Sequence, residues 1–577
     1  VYQRSCAGCH EREDPRIPHR EALKKMPAIA ILRALEMGAM YSVVTGISPP
    51  EREAVANYLG TQQPEAPPPP TAFCSERTVG ISRGAKFLWN GWSPTPDNTR
   101  FQSSQAANLS LPQVRRLKLK WAFAFNGVVN AFSPPTIVDG TLFTGSAAGT
   151  VYALDAQSGC IRWLYQAGAP VRTAVLMVQS SVLFGDQAGT FYALEAATGR
   201  LQWKKRVDEH ELARLTGSPV AFGEMVLVPV AGGEEGRSLD SGYPCCTVRG
   251  SLVALRARDG AVLWKTYMVD PPRETGKNGA GTPTWGPSGV AIWSAPTLDL
   301  KRGLVYVATG NNYSSPASAL SNAVVAIEIK TGRIVWSQQT IPGDVYNGQC
   351  ATGKSSDCGP DFDFSSSVML VQAGGRELLV AGQKSGMVYG LDPDSRGKII
   401  WQLRVGRGST VGGVQWGMAS DGRNAYAAVS DMVRVPRQKK DFADLRGNDT
   451  DPKAGGGLTA IRITDGTSVW HAPGHACEPP KAGCSPAQSA ALTAVFGAVF
   501  SGSVDGHIRA YSTETGEVIW DYDTAGEFIT VNGVAGRGGS IDGPGAVIAN
   551  GMLYINSGYA RTGGMPGNVL LAFAPER

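Results

Sequence analysis

The chain has 577 residues, 42% of them hydrophobic, and a formal net charge of +5. That length allows several domains or one large β-domain with an appendage. The mild charge, without basic runs, argues against a nucleic-acid partner, and the longest apolar stretch, near Ala490 to Phe500, is too short to span a bilayer. The 71 glycines, 37 prolines and 13 tryptophans point to many short strands joined by turns.

The first motif in the chain is CAGCH, Cys6 to His10. This spacing reads as covalent attachment of a c-type haem, with Cys6 and Cys9 as thioether positions and His10 as the proximal iron ligand. The chain opens five residues before Cys6. A cytochrome domain normally carries a helix there, so part of the N-terminus is expected to be missing from this sequence; no signal-peptide pattern is legible either. Residues 19 to 60 carry helical spacing in HREALKKM and AIAILRAL. SPPEREAVANYLG then supplies Ser48 as N-cap, Pro49 at the first helical position, Glu51 to complete a capping box and Gly60 as the stop. This flank resembles a class I cytochrome, which implies a methionine as the second axial ligand. Gly38-Ala39-Met40 fits, with Met37 and Met26 as alternatives and core packing as the competing role for any of them. A Met/His pair favours a high potential.

PEAPPPPT, Pro64 to Thr71, is a stiff spacer. It divides a helical head, residues 1–62, from the rest through a proline-rich linker over 63–84. From residue 85 onward one pattern recurs: Ala-x-Asp, four residues to Gly, four more to Trp. ALDAQSGCIRW ends at Trp163, and related copies end at Trp203, Trp264, Trp336, Trp401, Trp470 and Trp520. LKLKW, ending at Trp121, and VLLAFAPER at the C-terminal end form a split eighth copy. A strand, a tight turn at the glycine and a strand ending in Trp predict a hairpin. Spacings of 40 to 72 residues fit one four-stranded blade each. The expected fold is mainly β, an eight-bladed propeller over 85–577 closed by its two chain ends, with the tryptophans packing blade on blade.

Eight of the ten cysteines fall into pairs: Cys245 with Cys246, Cys350 with Cys358, Cys477 with Cys484, and Cys74 left for Cys160. Together with haem attachment, this favours an oxidising compartment, the periplasm or the cell exterior.

The repeat resembles the tryptophan-docking motif of the quinoprotein alcohol dehydrogenases, and WNGWSPTPDNTRFQ, from Trp89, resembles the opening of that family. The haem head, GPDFDF and the Cys-Cys-x-x-Arg-Gly stretch look like the polyvinyl-alcohol dehydrogenases, periplasmic quinohaemoproteins. The bare repeat also occurs in scaffold propellers, so the site has to be argued residue by residue. The resemblance implies pyrroloquinoline quinone (PQQ) on the propeller axis with calcium beside it. Oxygen donors suit that metal: Glu234 in VAGGEEG, Asn311 in ATGNNY and Asp361 in GPDFDF, with Glu235, Asn312 and Asp363 as neighbouring alternatives. Thr216 and Arg172 are the implied polar contacts of the cofactor, Trp293 stacks on its ring, Lys384 faces the quinone oxygens, and Gln415 and Trp416 are further contacts. Asp361 is the implied base that takes the hydroxyl proton. Cys245-Cys246 either lies against the quinone or braces its loop. Phe132 stands near the place where the family has a glutamate. The expected activity is oxidation of secondary hydroxyls of polyvinyl alcohol, with electrons leaving through haem c to a soluble cytochrome c. Another alcohol substrate, or a scaffold with an electron-carrying head, are the competing readings.

Overall fold

Each copy of the repeat forms the outer hairpin of a four-stranded antiparallel blade. The structure, a computed structural model, describes residues 1–12, 17–36, 40, 44, 47–63, 67–81, 87–353, 358–436 and 448–576. In the first blade, strands Thr136–Val138, Thr141–Thr144, Thr150–Asp155 and Ile161–Gln166 pair in order, edged by Phe87–Trp89. Seven further four-stranded blades follow around the ring. The last takes Val547–Ala549, Met552–Ser557 and Val569–Pro575 from the end of the chain. Its fourth strand is Leu117–Ala124, antiparallel to Val569–Pro575 with Phe123 opposite Leu570. The two chain ends thus share one sheet, and the ring has no open edge.

The repeat residues explain one another. Trp163 donates its indole N–H to the Ala196 carbonyl of the next blade at 3.0 Å. Trp121, Trp203, Trp264, Trp401, Trp470 and Trp520 make the same bond at 2.8 to 3.3 Å. Apart from Trp520, these rings lie against the repeat glycine of the blade that follows, as Trp163 on Gly199, Trp401 on Gly466 and Trp470 on Gly516, and so does Trp336 on Gly397. These glycines have φ near +75°. One residue therefore serves the hairpin turn and leaves room for the neighbour's indole.

Residues Trp89 to Gln102 run past the axis and bond to the first strands of seven of the eight blades. Gly91 N–H donates to Thr136 Oγ1, and Asn90 exchanges two bonds with Met177. The carbonyls of Pro96, Asp97, Thr99 and Arg100 accept from Leu298, Leu370, Ser420 and Ala494, and Gln102 Nε2 reaches the Ile548 carbonyl.

The head consists of short helices, among them Ala7–His10, Ala28–Glu36 and Pro49–Leu59, around a core of Tyr2, Cys6, Leu23, Ile31, Leu35, Val55 and Leu59. Glu51 accepts from both the Ser48 N–H and the Ser48 hydroxyl, which closes the capping box. After the proline segment the chain does not hang free. The Cys74 N–H donates to the Ile161 carbonyl, a Cys74–Cys160 disulfide staples it to the first blade, and the Val79 N–H reaches Ala197 of the second. The other three disulfides join Cys245–Cys246, Cys350–Cys358 and Cys477–Cys484.

Two glycine substitutions separate turn strain from docking. Gly375 has φ +80° with open space around it, whereas a Cβ on Gly466, φ +75°, would lie 2.6 Å from the Trp401 ring. Gly375→Ala should cost about 1–2 kcal/mol for the left-handed backbone alone. Gly466→Ala should cost about 1–3 kcal/mol more, read as the difference in denaturant midpoint between the two variants.

Candidate active site

A narrow cavity lies on the propeller axis, lined by Trp92, Phe132, Arg172, Thr216, Trp293, Ser294, Trp416 and Tyr559. Trp293 and Trp416 meet edge to face, with centroids 5.7 Å apart. Trp416 is fixed by a 2.6 Å bond from its indole N–H to Asp542, which also accepts from Thr562. The Arg172 guanidinium lies 4.3 Å above the Trp416 ring. Burial lowers the Arg172 pKa, and among the described residues it forms no ion pair.

Three buried polar atoms around this space have no partner: Thr216 Oγ1, Ser294 Oγ and Trp92 Nε1. Leaving such atoms unpaired costs about 1–3 kcal/mol each. With the Arg172 guanidinium and two indole faces, they describe a receptor for a flat, anionic, oxygen-rich molecule.

Next to the cavity, Lys384 holds two carboxylates. Its ammonium lies 2.7 Å from Asp363 Oδ2, 3.1 Å from Asp361 Oδ1 and 5.5 Å from the centre of the Trp293 ring. Burial works against the Lys384 cation, but Asp363 and Asp361 outweigh it and raise its pKa. Asp361 is raised well above the carboxylate range by burial, in spite of Lys384. Glu235 belongs to the same group: burial, opposed by Lys384 and aided by Asp363, pushes it up to about 7. Asp363 Oδ1 accepts the backbone N–H of Asn311 at 2.7 Å. Both amide hydrogens of Asn311 go to backbone carbonyls, those of Asn312 and Tyr346. Its side-chain oxygen is therefore left as a free acceptor.

In the head, His10 Nδ1 lies 2.8 Å from the Pro18 carbonyl. A carbonyl can only accept, so Nδ1 carries the proton and Nε2 keeps its lone pair for a metal. Cys6 and Cys9 are unpaired thiols. Met40 and Met26 both pack against the head core that contains Cys6, while Met37 lies outside the described residues.

A family profile described as outer membrane protein assembly factor BamB matches residues 118–355 and 249–567, the stretch that carries the repeats. The polyvinylalcohol dehydrogenase of a Pseudomonas species is 38% identical over all of this chain and 93% of its own length. That of Sphingopyxis sp. strain 113P3 is 37% identical over all of this chain and 92% of its own length. The chain belongs to the polyvinylalcohol dehydrogenase family. It is an alcohol dehydrogenase of the quinoprotein type. The solved quinohemoprotein alcohol dehydrogenase of Comamonas testosteroni shares the fold, with a TM-score of 0.59 and 18% identity over 84% of this chain and 80% of that one.

Within this family fold, Arg172, Thr216, Trp293 and Trp416 line the cavity, and Asp361, Lys384 and Asn311 stand beside it. Three expectations are displaced. Glu234 turns away: its two oxygens accept from Tyr243 Oη and from the backbone of Thr247 and Val248, so it holds the Cys245–Cys246 loop. The carboxylate facing Lys384 and Asp363 is Glu235. Cys245 and Cys246 are absent from the cavity wall and pack with Val248, Leu212 and Tyr313. Gln415 is turned onto its own loop, donating to the Gly412 carbonyl. Asp542, Trp92 and Ser294 were not legible as site residues, since each is a single residue in an irregular loop. Asn312, by contrast, is a structural amide bonded to Ser288 and Ser318.

Lys384→Met would leave two buried carboxylates facing each other without their cation. Removing one partner of a buried pair costs about 3–5 kcal/mol, so a large drop in unfolding free energy is expected in cofactor-free protein, measured by urea denaturation.

Proposed function

We propose that the protein oxidises the secondary hydroxyl groups of polyvinyl alcohol to ketones in the periplasm. PQQ occupies the axial cavity with calcium beside it, and electrons leave through haem c in the head to a soluble cytochrome c. The substrate rests on the two relatives named for it. The observation that carries the chemistry is the Lys384–Asp361–Asp363 group set against Trp293, at one side of a cavity with unpaired donors.

The residues present fit the cofactor. Arg172, Thr216 and Ser294 would bind its carboxylates and carbonyls, and the two indoles would cover its faces. Among the described residues no three acidic, His or Cys side chains converge closely enough to cage a metal by themselves. Glu235, Asn311 Oδ1 and Asp361 would therefore hold calcium only together with further oxygen donors. When bound, PQQ and calcium supply a polarised ortho-quinone that accepts hydride from the alcohol carbon. Asp361 takes the hydroxyl proton; burial makes its carboxylate basic enough for the task. Lys384 keeps Asp361 in place and presents its ammonium to the quinone oxygens. His10, through its free Nε2, and Met40, by its Gly-x-Met setting, would hold the haem iron.

The test is a visible spectrum of protein carrying haem, reconstituted with PQQ and calcium, before and after addition of polyvinyl alcohol. Haem reduction should require quinone, metal and polymer together, and Asp361→Ala should abolish it. Reduction by a small secondary alcohol but not by polymer would overturn the substrate; no quinone binding at all would overturn the site. The two neighbouring glutamates should also separate. Glu235→Gln is expected to weaken calcium-dependent PQQ binding about tenfold or more, followed by quenching of tryptophan fluorescence. Glu234→Gln should leave that affinity nearly unchanged and lower stability by about 1–3 kcal/mol through its unpaired loop N–H groups.

A further inference from the structure

Asp361 has a left-handed backbone, φ +59°, although it is not a glycine. Such a conformation costs about 1–3 kcal/mol and persists only where its surroundings impose it. What imposes it here is Asp344. This side chain is fully buried, and among the described residues no cation pairs with it. Its Oδ1 accepts the Asp361 N–H at 3.2 Å, and its Oδ2 accepts the Phe362 N–H at 2.9 Å and Asn322 Nδ2 at 2.7 Å. The main chain beside it is fixed independently. Asn312 N–H donates to the Asp344 carbonyl, Tyr346 N–H to the Asn312 carbonyl, and Gly359 N–H to the Val345 carbonyl. Gly359 fits because it lacks a side chain: a Cβ there would lie 2.7 Å from the Asp344 Cα.

We propose that Asp344 is the positioning residue of the base: its carboxylate clamps two consecutive N–H groups and so aims Asp361 at the alcohol. The proposal rests on the reading of Asp361 as the base. Lys384 holds the carboxylate of Asp361 from one side, and Asp344 holds its backbone from the other. Only a carboxylate does this with both of its oxygens. An asparagine of the same shape has one acceptor, and its NH₂ would confront an N–H, leaving one donor of the turn unpaired. Because Asp344 contacts Asn312 through its carbonyl rather than its side chain, the substitution disturbs the Asp361 turn and leaves the Asn311 strand in place. Misplacement of a reacting group by about 1 Å can cost on the order of 10²-fold in rate.

The experiment uses the protein with haem, PQQ and calcium, and 2,4-pentanediol, protonated or deuterated at its carbinol carbons, as a repeat-unit probe. Asp344→Asn should lower kcat about 10²-fold and raise the primary deuterium isotope effect on kcat. KM and the PQQ dissociation constant should stay close to wild type, while the melting temperature falls by no more than one unpaired buried donor requires. Unchanged kcat overturns the proposal, as does a loss of PQQ affinity and melting temperature in step with kcat, which marks a merely structural residue. Asn322→Ala, which removes only the third donor, is the milder variant should Asp344→Asn fail to fold. It should lower kcat severalfold with PQQ affinity retained, and unchanged kcat there overturns the proposal equally. Asp361→Asn separates the two ideas. If it retains wild-type kcat, the base assignment falls and the positioning role with it. If it is inactive while Asp344→Asn is fully active, only the positioning role falls.

Discussion

The backbone between Trp89 and Gln102 is the constraint on which the ring depends. Docking tryptophans join each blade to the next, but nothing in a pairwise contact fixes where eight blades converge. The axial segment does so, bonding the first strands of seven of the eight blades. Arg100 is its anchor. Its guanidinium is fully buried without a carboxylate, and burial pulls its pKa down to about 9. It is tolerated because its donors reach the carbonyls of Leu492, Trp92, Pro544 and Ala546 and the hydroxyl of Thr493. An isolated buried charge would be very costly; one distributed over five oxygens is held. Trp92, set by this arrangement 4.7 Å from the guanidinium, becomes part of the cavity lining. The same strand of chain thus closes the propeller and shapes its site.

Charge in the site is separated by design of the blades. Arg172 stands without an ion-pair partner among the described residues on one side of the cavity, and three carboxylates share the Lys384 ammonium on the other. On the Lys384 side the carboxylates outnumber the cation, and on the Arg172 side the carboxylate that acts on it, Asp542, is already engaged by Trp416 and Thr562. A ligand that brings anionic groups to Arg172 and a divalent cation to the carboxylates relieves both at once. Binding of quinone and metal in the proposed function would then be coupled, each improving the field for the other.

The propeller was legible because its stabilising contact is written in a fixed eleven-residue spacing. The indole, the glycine beneath it and the hairpin turn are all carried by that pattern, and it repeats seven times. The site is less regular, and its legibility varied with how each residue is held. Arg172, Thr216, Trp293 and Trp416 occupy corresponding places within regular blades, so a match of spacing carries them to the axis. Glu234 and Glu235 are adjacent in the one-turn helix Glu234–Arg237, and successive residues on a helix point about 100° apart. Which of the two faces inward is decided by Thr247 and Val248, thirteen and fourteen residues downstream, in a loop whose path no pattern predicts. Asp344 and Asp542 carry no local signature at all. Their roles exist only because the chain returns to them, Asp344 from residues 361 and 362 and Asp542 from Trp416.

The head is tied to this site by a short covalent and packing route. Arg33 of the head lies against Gly127. Three residues on, Asn130 pairs with Tyr559, and Phe132 lies in the cavity wall with Tyr559 and Trp416. On the other side the linker is stapled by Cys74–Cys160 and bonded to the first two blades. A proline spacer alone would let the head sample a wide volume. Anchoring the linker to the first blade at Cys74 limits how far the head can move from the cavity and raises its local concentration there. If the haem receives electrons from the axial cofactor, the staple limits the separation over which they pass. Reduction of the Cys74–Cys160 disulfide would therefore act on the rate of electron transfer to the haem before it acted on the propeller, whose ring is closed by strands and tryptophans and not by this bond.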